Sequence, residues 1–257
     1  MVSPWKERIQ EWDEPSADND KICKSFAKRE YEGHDLSIPY RLFLPKNAQR
    51  CPLILFLHGA DVTGRDNELQ IGAHDIGTVF VRDIWQKVTP SVIVAPQYDN
   101  GYHWSRPATM EALTDMVEGL CHEYPMIDPD RLLVYGYSAG GIGALKLIKR
   151  APGFFKKAII MCAATDSEEI ESLSSTPMWL FHAVDDDIVP NHRHRFFGGS
   201  HLGSALIYEA LKEKMGEDIH YTEYAPGELM ERYGVNPHCA WVPVAEDEDA
   251  LRWFLEK

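Results

Sequence analysis

In Gly136-Tyr137-Ser138-Ala139-Gly140-Gly141 a serine stands among small residues, with the apolar run Arg131-Leu132-Leu133-Val134-Tyr135 before it and the helix-forming stretch Ile142 to Arg150 after it. A G-x-S-x-G element between a strand and a helix makes a sharp turn that projects the serine hydroxyl away from the backbone. The small neighbours let strand and helix approach closely enough to hold that turn. The chemistry suited to such a serine is acyl transfer. Serine is a weak nucleophile near neutral pH, so Ser138 requires a base, a group that orients the base, and donors for the oxyanion formed on attack.

Candidates for each part lie elsewhere in the chain. His58-Gly59-Ala60-Asp61-Val62-Thr63-Gly64 follows the apolar run Pro52 to Leu57 and puts a glycine where the backbone must leave the strand. The backbone amides of Ala60 and Ala139 are the expected oxyanion donors, and losing one such donor typically costs ~3 to 4 kcal/mol of transition-state stabilisation. His58, so close to the strand end, is expected to support this loop rather than to transfer protons. The acid is sought in Trp179-Leu180-Phe181-His182-Ala183-Val184-Asp185-Asp186-Asp187. Three adjacent carboxylates cannot all face one buried imidazole, and desolvating like charges together is costly. Asp186 is the expected acid, Asp187 the second choice, and Asp185 a loop cap or solvent-facing charge. Of eleven histidines, His238 in Asn236-Pro237-His238-Cys239-Ala240-Trp241 falls after the last strand-like run and before the last helix-like one, where the order serine, acid, histidine requires the base. His201, ahead of an expected helix, and His220, inside an expected strand, fit the role less well.

The elements that must position these groups follow from periodicity. Lys24 to Tyr31 and Leu36 to Leu44 predict an antiparallel hairpin around Glu32 to Asp35. Pro52 to Leu57 and Ser91 to Ala95 are continuously apolar, as in parallel strands covered on both faces, and Met110, Leu113, Met116, Val117, Leu120 and Cys121 recur at helical spacing. Strands over Leu132 to Tyr135, Lys157 to Cys162, Met178 to His182 and Asp218 to Tyr224 alternate with helices over Gly140 to Arg150, Leu202 to Met215 and Asp247 to Glu256. This alternation predicts an α/β fold: a mostly parallel, doubly wound sheet with an antiparallel N-terminal hairpin, whose reactive groups gather beyond the carboxyl ends of the strands. Residues 1–24 are expected to form an N-terminal arm and 25–257 a single catalytic domain. Asp128 and Asp130 are expected to be turn formers at the opposite end of the sheet, with Arg131 structural.

Taken in order, Ile38 to Pro45, Pro52 to Asn67, Val94-Ala95-Pro96-Gln97, Ile127-Asp128-Pro129-Asp130-Arg131, the Gly136 to Gly141 turn, His182 to Pro190 and His238 to Trp241 resemble the serine esterases of the α/β-hydrolase superfamily. The branch most resembled includes carboxylesterases, feruloyl-type esterases, polyhydroxybutyrate depolymerases and predicted peptidases akin to prolyl oligopeptidase. The resemblance implies the α/β-hydrolase fold and carries the acid of an H-G-x-x-D-x-x-V-P pattern over to Asp186, with Ala183 where the pattern has glycine. It also carries the oxyanion donors over to Ala60 and Ala139. The expected activity is hydrolysis of short-chain or aromatic acyl esters through an acyl-enzyme, with Ser138, His238 and Asp186 as the triad. A small peptidase or aminoacyl esterase, and a noncatalytic binding protein of the same fold, are the alternatives.

The net charge of −14 disfavours a nucleic-acid partner, and His192-Arg193-His194-Arg195 is read as a solvated helix face. No apolar run approaches the ~20 residues of a membrane span, and Met1 to Arg8 lacks the apolar core of a secretion signal, so a cytoplasmic protein is expected. Five irregularly spaced cysteines fit reduced thiols, while His74-Asp75 and the aspartate run lack metal-ligand spacing. No cofactor is expected. Trp104, after the strand at Val92, is a candidate wall of the acyl pocket or else a packed loop anchor, and Ala163 to Thr176 or Asn191 to Ser200 are the segments available to cover the site.

Overall fold

The computed structural model describes residues 14–46, 48–99, 103–168, 170–196 and 199–257. Its strands are β1 (Ala27–Gly33), β2 (Leu36–Phe43), β3 (Cys51–Leu57), β4 (Val92–Pro96), β5 (Ile127–Tyr137), β6 (Lys157–Met161), β7 (Ala164–Asp166), β8 (Met178–Ala183), β9 (Arg193–Phe196), β10 (Gly199–Gly203) and β11 (Ile219–Tyr224). Eight of them form the main sheet in the order β1-β2-β4-β3-β5-β6-β8-β11. β1 and β2 make the antiparallel hairpin, β2 meets β4 antiparallel, and all later neighbours are parallel.

The apolar runs explain this layering. Every residue of β3 is buried, as a strand with both faces covered requires. Leu53, Leu55 and Leu57 pack into one cluster with Leu113 and Val117 of the helix Pro107–Glu123, Leu145 and Ile148 of the helix Ala139–Arg150, and Leu211 of the helix Ser204–Met215. Ile54 and Phe56, pointing the other way, pack with Phe80, Trp85, and Leu251 and Phe254 of the helix Glu248–Leu255. The chain therefore belongs to the doubly wound α/β class, and the main sheet puts the ends of β3, β5, β6 and β8 side by side.

Two local expectations are corrected. Asp128 and Asp130 lie within β5 rather than in a turn, because the strand extends back to pair Ile127 with Cys51 before its register shifts. Arg50 holds Asp128 there through a 2.8 Å ion pair. The basic run at 193–195 is strand, not helix, whereas His201, in β10 opposite Asp166, does precede the helix Ser204–Met215. β7, β10 and β9 form a separate three-stranded antiparallel sheet that periodicity did not announce, because strands of three to five residues are too short to show a period.

Within the expected arm, residues 1–13 lie outside the described residues, but 16–23 are docked. The buried Asn19 donates to the carbonyls of Ile71 and Gly72 and accepts from the Thr78 hydroxyl at 2.5 Å, and Ser16 bonds Asp75. Among the described residues, no helix is long and apolar enough to cross a membrane.

Candidate active site

Ser138 stands between the end of β5 and the helix Ala139–Arg150, with φ 52° and ψ −122°. A non-glycine residue held there stores strain on the order of 1 to 3 kcal/mol, which the surroundings must impose. Its own amide is fixed by the Met161 carbonyl of β6 at 2.9 Å. The flanking glycines are required by close approach. A Cβ on Gly140 would stand 1.9 Å from the Leu57 carbonyl oxygen, and one on Gly136 would stand 2.7 Å from the Gly140 backbone. The turn is thus wedged against the end of β3, where Leu57 pairs with Gly136.

Three side chains expected from the sequence are brought together in series. The Ser138 hydroxyl lies 2.9 Å from His238 Nε2, and His238 Nδ1 lies 2.7 Å from Asp186 Oδ2. His238 and Asp186 are buried while Ser138 is partly exposed, so the hydroxyl is open to solvent and the imidazole and carboxylate behind it are covered. An ionised carboxylate only accepts, so the Nδ1 proton points at Asp186 and Nε2 is left to accept from Ser138. His238 is held by its own amide, which donates to the Asn236 side chain at 2.8 Å, and Trp241 stands edge-on to its ring at 5.8 Å.

Asp186 is the aspartate that faces the base. Asp185 is exposed and accepts from the Gly227 amide at 2.8 Å, and Asp187 is exposed. Oδ1 of Asp186 accepts from the amides of Ile188 and Val189 at 2.9 and 3.0 Å. Burial pushes its pKa up, but the charge of His238 and the hydrogen bonds from His182 and His238 outweigh that and hold the carboxyl well below its usual range. Alanine in place of glycine at 183 does not prevent the turn, since the Asp186 amide still reaches the Ala183 carbonyl at 3.4 Å.

The loop after β3 turns at Gly59 into the short 3₁₀ turn Ala60–Val62. Ala60 opens that turn and Ala139 opens the helix after Ser138, so both backbone amides stand at the N-terminal ends of helical turns. His58 is wholly buried, with Nδ1 2.7 Å from the Gly59 carbonyl and Nε2 accepting from the Tyr98 amide at 3.3 Å. Desolvation lowers its pKa to about 4, so at neutral pH it is an uncharged support for the loop. Trp104 is fully buried too. Its Nε1 donates to the His58 carbonyl at 3.0 Å and its Cβ fills the space beside Gly143, which is the placement of a packed anchor beneath the loop.

Two participants were missed. His182, wholly buried on β8, reaches Asp186 Oδ2 at 3.2 Å and the Val189 carbonyl at 2.7 Å, with Ser204 Oγ 2.9 Å from its other nitrogen. Asp61, in the loop after β3, bonds His74 at 2.7 Å and the hydroxyl of Tyr137 at 3.0 Å. His182 stood four residues before Asp186 as a readable signal, whereas nothing local linked Asp61 to His74 or Tyr137. Among the described residues no group of three or more histidine, cysteine or carboxylate side chains is arranged so as to hold a metal ion.

The prolyl oligopeptidase family matches residues 98–197, which include the Ser138 turn and the acid loop. A thermostable esterase of known structure is similar over 91% of this chain at 32% identity with a TM-score of 0.80, and the chain spans 63% of that protein's length. The acylaminoacyl peptidase of Pyrococcus horikoshii matches 94% of the chain at 16% identity and TM-score 0.61, with 45% of its own length covered. Est1E from Butyrivibrio proteoclasticus matches 88% of the chain, covering 96% of its own length, at 13% identity and TM-score 0.56. No curated protein sequence matches. With its sheet order, its strained serine turn and these relatives, the chain has the α/β-hydrolase fold and is similar to serine hydrolases built on it.

Proposed function

We propose that the protein hydrolyses carboxylic esters through an acyl-enzyme on Ser138, with His238 as general base and acid and Asp186 as its orienting partner. The observation that carries this reading is the unbroken series from the partly exposed Ser138 hydroxyl to His238 and Asp186, at 2.9 and 2.7 Å. In the first half-reaction Ser138 Oγ attacks the ester carbonyl carbon while His238 Nε2 takes its proton. The tetrahedral oxyanion is received by the Ala60 and Ala139 amides, and His238 returns the proton to the departing alkoxide. Water, deprotonated by His238, then attacks the acyl-serine, and collapse with proton return to Ser138 Oγ releases the carboxylic acid.

Short-chain or aromatic acyl esters suit the site better than long lipids. β7 begins three residues after β6, without room for a long insertion there, and Lys149 ties Asp166 of β7 to the Ser138 helix at 2.8 Å. A second reading, cleavage of aminoacyl amides or esters, is favoured by the prolyl oligopeptidase match across the nucleophile and acid segments.

Turnover of p-nitrophenyl acetate, methyl ferulate and an aminoacyl anilide by the same preparation separates the readings. The esterase reading expects the first two as substrates. Turnover of the anilide alone sinks it in favour of the peptidase, and a folded protein whose Ser138 resists a fluorophosphonate probe sinks both in favour of a binding role.

A further inference from the structure

A second buried carboxylate lies in the loop that is to receive the oxyanion. Asp61 directly follows Ala60, and its side chain is 4% exposed. Oδ2 lies 2.7 Å from His74 Nε2, and the Tyr137 hydroxyl donates to the same carboxylate, at 3.0 and 3.1 Å from its two oxygens. The three residues come from three separate stretches: the turn after β3, the segment before the 3₁₀ turn Asp75–Gly77, and the last residue of β5. Tyr137 is also the residue immediately before the nucleophile. One carboxylate therefore ties the oxyanion loop to the strand that carries Ser138.

The packing allows little play. A Cβ on Gly59 would stand 2.4 Å from the Tyr137 ring and 2.5 Å from Asp61 Oδ1, so ring and carboxylate press on the backbone that leads into Ala60. Trp241 lies 4.5 Å from the Tyr137 ring and 5.2 Å from the His74 ring while standing edge-on to His238, so the cluster shares a wall with the base. Burial raises the pKa of Asp61, but its hydrogen bonds and interactions with His74 and Tyr137 outweigh it and hold the carboxyl below its usual range. A buried charge beside a forming oxyanion is an unfavourable choice for stability alone, since an apolar side chain avoids its desolvation cost. Its hydrogen bonds to His74 and Tyr137, in contrast, fix a backbone position, and a displacement of about 1 Å in such a donor costs about 100-fold in rate.

We propose that Asp61, clamped between His74 and Tyr137, is a positioning residue that holds the Ala60 amide where the tetrahedral oxyanion forms. This rests on the ester-hydrolysis reading, with Ala60 as a donor.

The test uses kcat and KM for p-nitrophenyl acetate together with the inhibition constant of an alkylboronic acid, which adds to Ser138 Oγ and places an oxygen where the oxyanion would be. Asp61→Ala is expected to lower kcat by about 30- to 100-fold with KM changed less than about 3-fold, and to weaken the boronic acid by the same factor as kcat. Asp61→Asn, which keeps an acceptor for Tyr137, should recover most of that loss. Tyr137→Phe, which removes one hydroxyl and keeps the ring, should lose about 3- to 10-fold in both measures and decides the matter if Asp61→Ala does not fold. The proposal is overturned by Asp61→Ala or Tyr137→Phe protein with unchanged kcat, or by a fall in kcat that leaves boronic acid affinity intact. A native protein that neither turns over the ester nor binds the boronic acid overturns the ester-hydrolysis reading itself, and native activity with indifferent variants overturns the brace alone.

Discussion

Two buried aspartate–histidine pairs lie close to Ser138, and each has its carboxylate oxygen 2.7 Å from a ring nitrogen. They differ in what the rest of the imidazole meets. His238 gives Nδ1 to Asp186 and turns Nε2 to the Ser138 hydroxyl, which is partly exposed. His74 gives Nε2 to Asp61, and its ring stands perpendicular to Tyr137 at 5.7 Å and against Trp241 at 5.2 Å. Of the two, the first presents its base to a nucleophile that substrate can reach, whereas the second is enclosed by aromatic rings and anchors backbone. An Asp–His pair at hydrogen-bond distance is therefore not in itself a proton-transfer device. The group at the far nitrogen makes it one.

The most direct way to break this comparison is to remove the nucleophile that distinguishes the pairs. Ser138→Ala should cost on the order of 10⁶-fold in kcat while leaving the folded state nearly unchanged, measured as p-nitrophenyl acetate turnover beside a urea unfolding curve. Near-full activity would mean that neither pair serves this serine. Asp186→Asn comes next, at about 10⁴-fold, because an amide can hold the ring in the wrong tautomer while preserving shape. Asp61→Asn, by contrast, should lose only a few fold. If the two Asn variants lose similar activity, the division into a proton-transfer pair and a bracing pair fails.

His182 sharpens the contrast by showing how much support the working carboxylate receives. It is completely buried and has three polar partners, Asp186, the Val189 carbonyl and Ser204. His182→Leu leaves the Ser204 hydroxyl and the Val189 carbonyl without this partner in an apolar setting. Stability should fall by about 2 to 4 kcal/mol, read from the urea midpoint. A variant as stable as the native protein would show that Asp186 is held by the Ile188 and Val189 amides without help.

The pairs were unequally legible in the sequence, for physical reasons. The Ser138 turn is local: its strand, its small residues and its helix are contiguous, so the pattern reads without knowledge of the fold. Asp186 and His238 are 52 residues apart; Asp186 sits in a loop just after an apolar strand, while His238 follows the last strand with the helix Glu228–Tyr233 between, so chain order had to supply the rest. Asp61 and His74 are only 13 residues apart and were not connected. The chain between them and on to residue 88 folds as short 3₁₀ and α-helical turns whose lengths of three to six residues carry no readable period. The contact of Asp61 with Tyr137 follows only once Leu57 is known to pair with Gly136, a long-range register that no local pattern encodes. The main sheet was legible for the opposite reason, since runs buried on both faces announce parallel strands. The small β7-β10-β9 sheet, made of brief strands, was not.

Acid titration gives the smallest predicted effect and compares the two carboxylates directly. Both Asp186 and Asp61 are held below the ordinary carboxyl pKa although burial opposes this, because the partners around each favour the charged form. A depressed folded-state pKa means that the native state binds fewer protons than the unfolded chain as pH falls through the unfolded value of about 4. The stability each carboxylate contributes is therefore fully present above that value and drains away below it, toward the folded pKa. The gap in unfolding free energy between the native protein and Asp186→Asn should thus be the same at pH 7 and pH 5 and narrower at pH 3.5, with a parallel and shallower trend for Asp61→Asn. Urea midpoints at the three pH values measure both gaps on one scale. A gap that stays level down to pH 3.5 for either variant would mean that the carboxylate is not held by the charged and hydrogen-bonding partners that surround it. For Asp61 that would remove the electrostatic basis of the brace while leaving the Ser138, His238 and Asp186 series untouched.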